Sequence, residues 1–92
     1  MNVALTDAGD VDATLRAALV DVLGLPEAKV RGFGEATALF GALPEFDSLA
    51  VAGLLTELEE RLGILIEDHE VDADMLDTYG ALLTFARAKA LR

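Results

Sequence analysis

A small all-α fold, three principal helices and one short one joined by a long first connection, is what this sequence predicts. Three observations carry that expectation. Apolar residues recur at three- and four-residue spacing in separate segments, and caps and glycines bracket those segments. The one short apolar run outside them, Ile64-Leu65-Ile66, has no candidate strand to pair with. The chain has 92 residues, 53% of them hydrophobic, so it is globular and large enough for a single core.

The elements follow in order. Residues 1–9 are small and polar and are expected to be a flexible N-terminus, with one domain over 10–92. A first helix should begin near Asp10 or Asp12, either able to cap it, and carry Val11, Leu15, Leu19, Val22 and Leu23 on one face. Gly24 and Pro26 mark its end. Residues 24–47 form a long connection holding four of the eight glycines and both prolines. A short helical turn is expected at 35–41, with Leu39, Phe40, Leu43 and Phe46 pinning the connection to the core. Asp47 is placed to cap the clearest helix, residues 48–62, whose stripe is Val51, Leu55, Leu58 and Leu62, widened by Leu49, Ala52 and Leu54. Gly53 in its interior costs about 1 kcal/mol relative to alanine, which points to a packing or docking reason. Gly63 ends it. Asp72 or Asp74 should start a short helix through Met75 and Leu76. A last helix, about 78–90, places Leu82, Phe85, Ala86 and Lys89 along one side, and its closing bases suit the helix dipole.

Charge excludes several functions. Seventeen acids stand against seven bases, a formal −10, and residues 45–77 hold eleven of the acids with Arg61 as their only base. Phosphate contacts need Lys and Arg, so a nucleic-acid binder is excluded. The acidic block is either a solvated face or a docking surface for a basic partner. The absence of cysteine excludes disulfides and thiolate metal sites. No apolar stretch approaches the ~18 residues of a membrane span, and no signal peptide opens the chain. The expectation is a complete, cytoplasmic, monomeric protein.

Ser48 is the only serine, directly after Asp47 in the first turn of the clearest helix. Asp47-Ser48 reads first as a capping pair; the second reading is Ser48 as an attachment point, where a phosphoester would meet free helix N–H groups. Both readings stand on the residues alone. Serine-nucleophile catalysis lacks a G-x-S-x-G elbow, and the sole histidine, His69, belongs to an acidic loop. Asp68, Glu70, Asp72 and Asp74 alternate as in a calcium loop. Ala73 and Tyr79 nevertheless occupy the positions that need glycine and a bidentate Glu. No metal site is expected.

Phe46-Asp47-Ser48-Leu49, then Leu58-Glu59-Glu60 and Leu62-Gly63-Ile64, resembles the acyl carrier protein family. The resemblance implies a four-helix bundle with a long first loop and a short third helix. It implies that Ser48 receives 4′-phosphopantetheine from coenzyme A through a separate phosphopantetheinyl transferase, with Asp47 and Leu49 contributing to recognition. The chain itself would be non-catalytic. Its arm would hold acyl groups as thioesters, in fatty-acid or other lipid biosynthesis, for partner enzymes with basic docking patches. Glu57, Glu59 and Glu60 match the family's acidic docking helix, and Val51, Leu55, Leu58, Ile66, Met75 and Leu76 are candidate lining for a buried acyl chain. Departures are clear: Ala50 and Gly53 replace acids common after Asp-Ser-Leu, and Arg61 replaces a third consecutive acid. Leu39-Phe-Gly-Ala-Leu-Pro-Glu-Phe-Asp-Ser-Leu also resembles specialised carriers found beside polysaccharide-export and sorting gene sets, which implies a non-housekeeping member. Two alternatives remain, a peptidyl or aminoacyl carrier and an acidic helical interaction module without cofactor.

Overall fold

The computed structural model describes residues 8–91, and the side chains of residues 10–91. It is all-helical: α1 (Ala8–Leu23), α2 (Glu27–Arg31), α3 (Ser48–Leu62), α4 (Ala73–Asp77) and α5 (Tyr79–Ala90), with a 3-10 turn at Asp68–Glu70. Residues 1–7, most of the stretch expected to be flexible, lie outside the described residues. Ala8 and Gly9 are already helical, so α1 starts ahead of both expected caps.

The core is built by α1, which packs against α3, α5 and α2, while α4 packs on α5. Val11, Leu15, Leu19 and Leu23 are buried as their spacing requires, and Ala18 joins them. On α3 the stripe is rotated from the expected one. Leu54 and Leu58 are its centre, both 0% exposed, with Val51, Leu55 and Leu62 on the flanks. Leu49 is 83% exposed and Ala52 is also on the surface, so neither widens the core. The helix ends at Gly63, whose left-handed backbone (φ 65°) a side chain would strain.

The long connection differs most from expectation. Its helical turn is α2 at 27–31, not 35–41, because Pro26 supplies a fixed φ and an extended backbone just before it. Leu25, Val30 and Phe33 bury alongside it. Residues 35–36 make a turn instead, closed by Thr37 N–H to Gly34 O (3.1 Å), and the segment 35–40 crosses the α4–α5 junction. Leu39 N–H donates to Asp77 O (2.8 Å), Phe40 N–H to Leu76 O (3.1 Å), Tyr79 N–H to Thr37 O (2.8 Å) and Gly80 N–H to Glu35 O (2.9 Å). An isolated antiparallel bridge, Ala38 with Thr78, marks this crossing. Leu39 and Phe46 are buried and Leu43 half-buried. Phe40 does not bury; it is 39% exposed and packs edge-on against Phe46 at 5.9 Å.

Ile64, Leu65 and Ile66 form a linker and not a strand. Asp72 caps α4 by accepting Met75 N–H (2.9 Å), and Thr78 caps α5 by accepting Ala81 N–H (3.1 Å). On α5, Leu82 and Ala86 are buried and Phe85 half-buried. Lys89 reaches Glu70 of the 3-10 turn with both carboxylate oxygens within 2.9 Å. No helix among the described residues is long and apolar enough to cross a membrane.

Candidate functional site

The candidate site is the entry to α3. Buried Phe46 anchors the chain immediately before it, and Asp47 turns it into the helix from an extended backbone (φ −91°, ψ −178°). Asp47 Oδ1 accepts Ala50 N–H (2.9 Å), and Asp47 O accepts Val51 N–H (2.9 Å). The capping role foreseen for Asp47 is therefore filled. Among the described residues nothing accepts the Ser48 or Leu49 amide, and both side chains are exposed. Ser48 thus presents its hydroxyl at the positive end of a fifteen-residue helix beside two open N–H donors. A shallow groove bounded by Phe40, Ala42, Leu43 and Pro44 runs up to Asp47 and Ser48 on the connection side.

The acids expected to dock partners are unequal. Glu57 Oε1 accepts from Arg61 Nε (2.7 Å), and Arg61 Nη2 continues to Asp21 Oδ2 on α1 (2.6 Å). Those two hydrogen bonds, Asp21 first, hold the Arg61 guanidinium more firmly protonated than usual. Glu59 Oε2 accepts Ile66 N–H (2.8 Å), pinning the linker after α3. Glu60 is exposed and makes no ion pair or hydrogen bond with a described residue. The proposed acyl lining is brought together: Leu58, Met75 and Leu76 are core residues, and Val51, Leu55 and Ile66 pack against the same cluster.

Glu70 is held below the usual carboxylate range, first by Lys89 and then by the Glu67 backbone N–H. His69 is exposed beside it. Among the described residues no three His, Cys, Asp or Glu side chains are grouped to hold a metal ion.

Among the ties that sequence reasoning missed is one at Tyr79. Tyr79, buried at the start of α5, donates its hydroxyl to Asp12 on α1, and Arg16 lies over its ring at 4.5 Å. Arg16 also bonds Asp12 (3.0 Å) and the Val30 carbonyl (2.7 Å), joining α1, α2 and α5. Burial, and then the Asp12 bond, push the Tyr79 hydroxyl well above its ordinary range. The available signal was the chain's only tyrosine, inside an otherwise apolar helical face.

No protein-family model matches the chain, and no curated protein matches it. A solved structure does: the solution NMR structure of a holo acyl carrier protein from Nitrosomonas europaea, at TM-score 0.75 and 33% identity. The match covers 85% of this chain and 92% of that one. The fold is thus shared with a carrier over most of both chains. This chain belongs to the acyl carrier protein family.

Proposed function

We propose that the chain carries acyl groups as thioesters on a 4′-phosphopantetheine arm joined to the Ser48 hydroxyl, and presents them to partner enzymes. One observation carries the reading: Ser48 stands exposed at the N-terminus of α3 with its own amide and that of Leu49 open. A phosphodiester there gains two N–H donors and the helix dipole without displacing an existing bond. When attached, the arm supplies a flexible reach ending in a thiol. With no cysteine in the chain, no protein thiol competes for the cargo.

The chain's own residues have simpler tasks. Asp47 fixes the first turn, so the Ser48 hydroxyl has a defined direction. Phe46 and the edge-on Phe40 hold the segment before it. Leu49 projects beside it for the transferase to grip. Val51, Leu55, Leu58, Ile66, Met75 and Leu76, which belong to or pack against one apolar core cluster, are the side chains among which an acyl chain would lie. Of the three acids expected to dock partners, Glu60 is the one with no ion pair or hydrogen bond to a described residue, and it would meet a cation on a partner.

Intact-mass measurement tests this after incubation with coenzyme A and a broad-specificity phosphopantetheinyl transferase. The wild type should gain the mass of one arm, and Ser48→Ala none. A wild type that stays unmodified, while a control carrier is modified, overturns the reading; a modified Ser48→Ala overturns the site.

A further inference from the structure

The segment leading to Ser48 is turned twice by its own backbone. Leu39 O accepts both Ala42 N–H (3.0 Å) and Leu43 N–H (2.9 Å), and Gly41 takes the left-handed backbone (φ 89°) of that tight reversal. Phe46 N–H then donates to Leu43 O (3.0 Å) and closes the second turn. Upstream, the Leu39 and Phe40 amides are fastened to the carbonyls of Asp77 and Leu76. The shallow groove that Phe40, Leu43 and Pro44 border, with Ser48 at its end, is therefore built before anything fills it.

Its chemistry is one-sided. Phe46, which also lines it, is 2% exposed, whereas Phe40 stays 39% exposed despite packing edge-on against that ring. No lysine or arginine borders the groove, and Asp47, beside Ser48, is its one charged lining residue. A free anion would meet no counter-charge there. Backbone groups do stand open: among the described residues none accepts from Gly41 N–H, and none donates to the Ala42 or Pro44 carbonyl. Such a surface suits a neutral chain that carries apolar branches and amides.

We propose that this groove is the resting place of the 4′-phosphopantetheine arm. Phe40, Leu43 and Pro44 cover its branched pantoyl part, and the open backbone groups of Gly41, Ala42 and Pro44 pair with its amides. This rests on Ser48 being the attachment site. A tether that begins at the groove's own end is what commits the groove to this occupant. The phosphate stays with the open Ser48 and Leu49 amides at the head of α3, so only neutral parts of the arm lie along the groove. A second copy of the chain is a poorer occupant, because two chains of −10 repel each other.

Nuclear magnetic resonance of the apo and holo proteins tests this. In the holo protein the two geminal methyls of the arm should show nuclear Overhauser contacts to the Phe40 ring and the Leu43 methyls. Amide shift changes between apo and holo should run from Ser48 back to residues 40–43. Two substitutions at exposed positions leave the core alone. Phe40→Leu keeps apolar bulk and removes the ring, so the upfield ring-current shift of the geminal methyls should be lost while their contacts to Leu43 remain. Ala42→Glu places a carboxylate in the groove, and there both sets of contacts should be lost. The apo spectrum of each variant reports that its fold is retained.

Shift changes confined to residues 48–51, or running instead along Ile66, Met75 and Leu76, overturn the groove assignment. So does a methyl shift that Phe40→Leu leaves unchanged, or a contact pattern that survives Ala42→Glu. Changes at residues 40–43 that grow with protein concentration mark a second copy as the occupant and overturn it too. Intact mass separates the two levels. A wild type that takes no arm overturns the attachment reading, while a modified wild type without contacts to Phe40 and Leu43 overturns the groove alone.

Discussion

Replacing Gly80 by alanine should destabilise the protein, although alanine is the better helix former. Gly80 sits in the first turn of α5, where residues 35–37 of the long connection cross it. A Cβ built there would lie 2.8 Å from Glu35 O and 3.0 Å from Glu35 Cα, and both are backbone atoms that cannot swing aside. Relief requires the connection to lift. That loosens Gly80 N–H to Glu35 O (2.9 Å) and Tyr79 N–H to Thr37 O (2.8 Å). Two backbone hydrogen bonds are worth about 1 kcal/mol each, and overpacking of this kind costs about 1–3 kcal/mol. The helix preference returns at most about 1 kcal/mol. The net expectation is a loss of about 2–4 kcal/mol. Urea unfolding followed by far-UV circular dichroism measures it as a lower midpoint at unchanged slope. A Gly80→Ala protein as stable as wild type would refute the reasoning, since it would mean that the crossing at Glu35 yields freely.

Other outcomes follow from the same contacts. Gly53→Ala should have the opposite sign, a gain of about 0.5–1 kcal/mol in the same assay, because its Cβ meets only Val22 at 3.5 Å. Tyr79→Phe leaves the Asp12 carboxylate without its hydroxyl donor and should cost about 1–3 kcal/mol, read as a lower thermal midpoint. Leu58→Ala, at a position with 0% exposure, should cost about 2–5 kcal/mol. Acid titration should expose the Glu70–Lys89 pair. A carboxylate lowered on folding contributes fully above its ordinary value of 4.5 and loses that contribution as pH falls through the folded value. Glu70→Gln should therefore flatten the fall of the urea midpoint below about pH 4.5, and an unchanged acid limb would remove the pair from the account.

How much was legible in the sequence depends on the reach of the interaction. The caps at Asp47, Asp72 and Thr78 are local, each spanning three residues, and the helices they start lie close to where patterning placed them. The Ser48 motif was legible for the same reason: its neighbours in space are its neighbours in the chain. The long connection was not. Its path depends on hydrogen bonds between residues 35–40 and 76–80, about forty positions away, and no propensity encodes a partner that distant. Leu49 and Ala52 were misplaced because an apolar residue at helical spacing can face either the core or a partner. Packing of α3 against α1 decides which.

By itself the sequence determined the helices, their caps, the lone serine at the head of α3 and the excess of acid in residues 45–77. These are properties of composition and short-range spacing, which survive in any arrangement of the helices. Only the tertiary structure decided how that acid is used. Arg61 engages Glu57 and Asp21, the Ile66 amide engages Glu59, and Lys89 engages Glu70, leaving Glu60 open on the outer ridge of α3. The reason is physical: a formal charge is fixed by the residue, but the field it presents depends on which counter-charge folding places within about 3 Å of it. Two of those four partnerships, Arg61 with Asp21 and Lys89 with Glu70, join elements that meet only when the bundle closes.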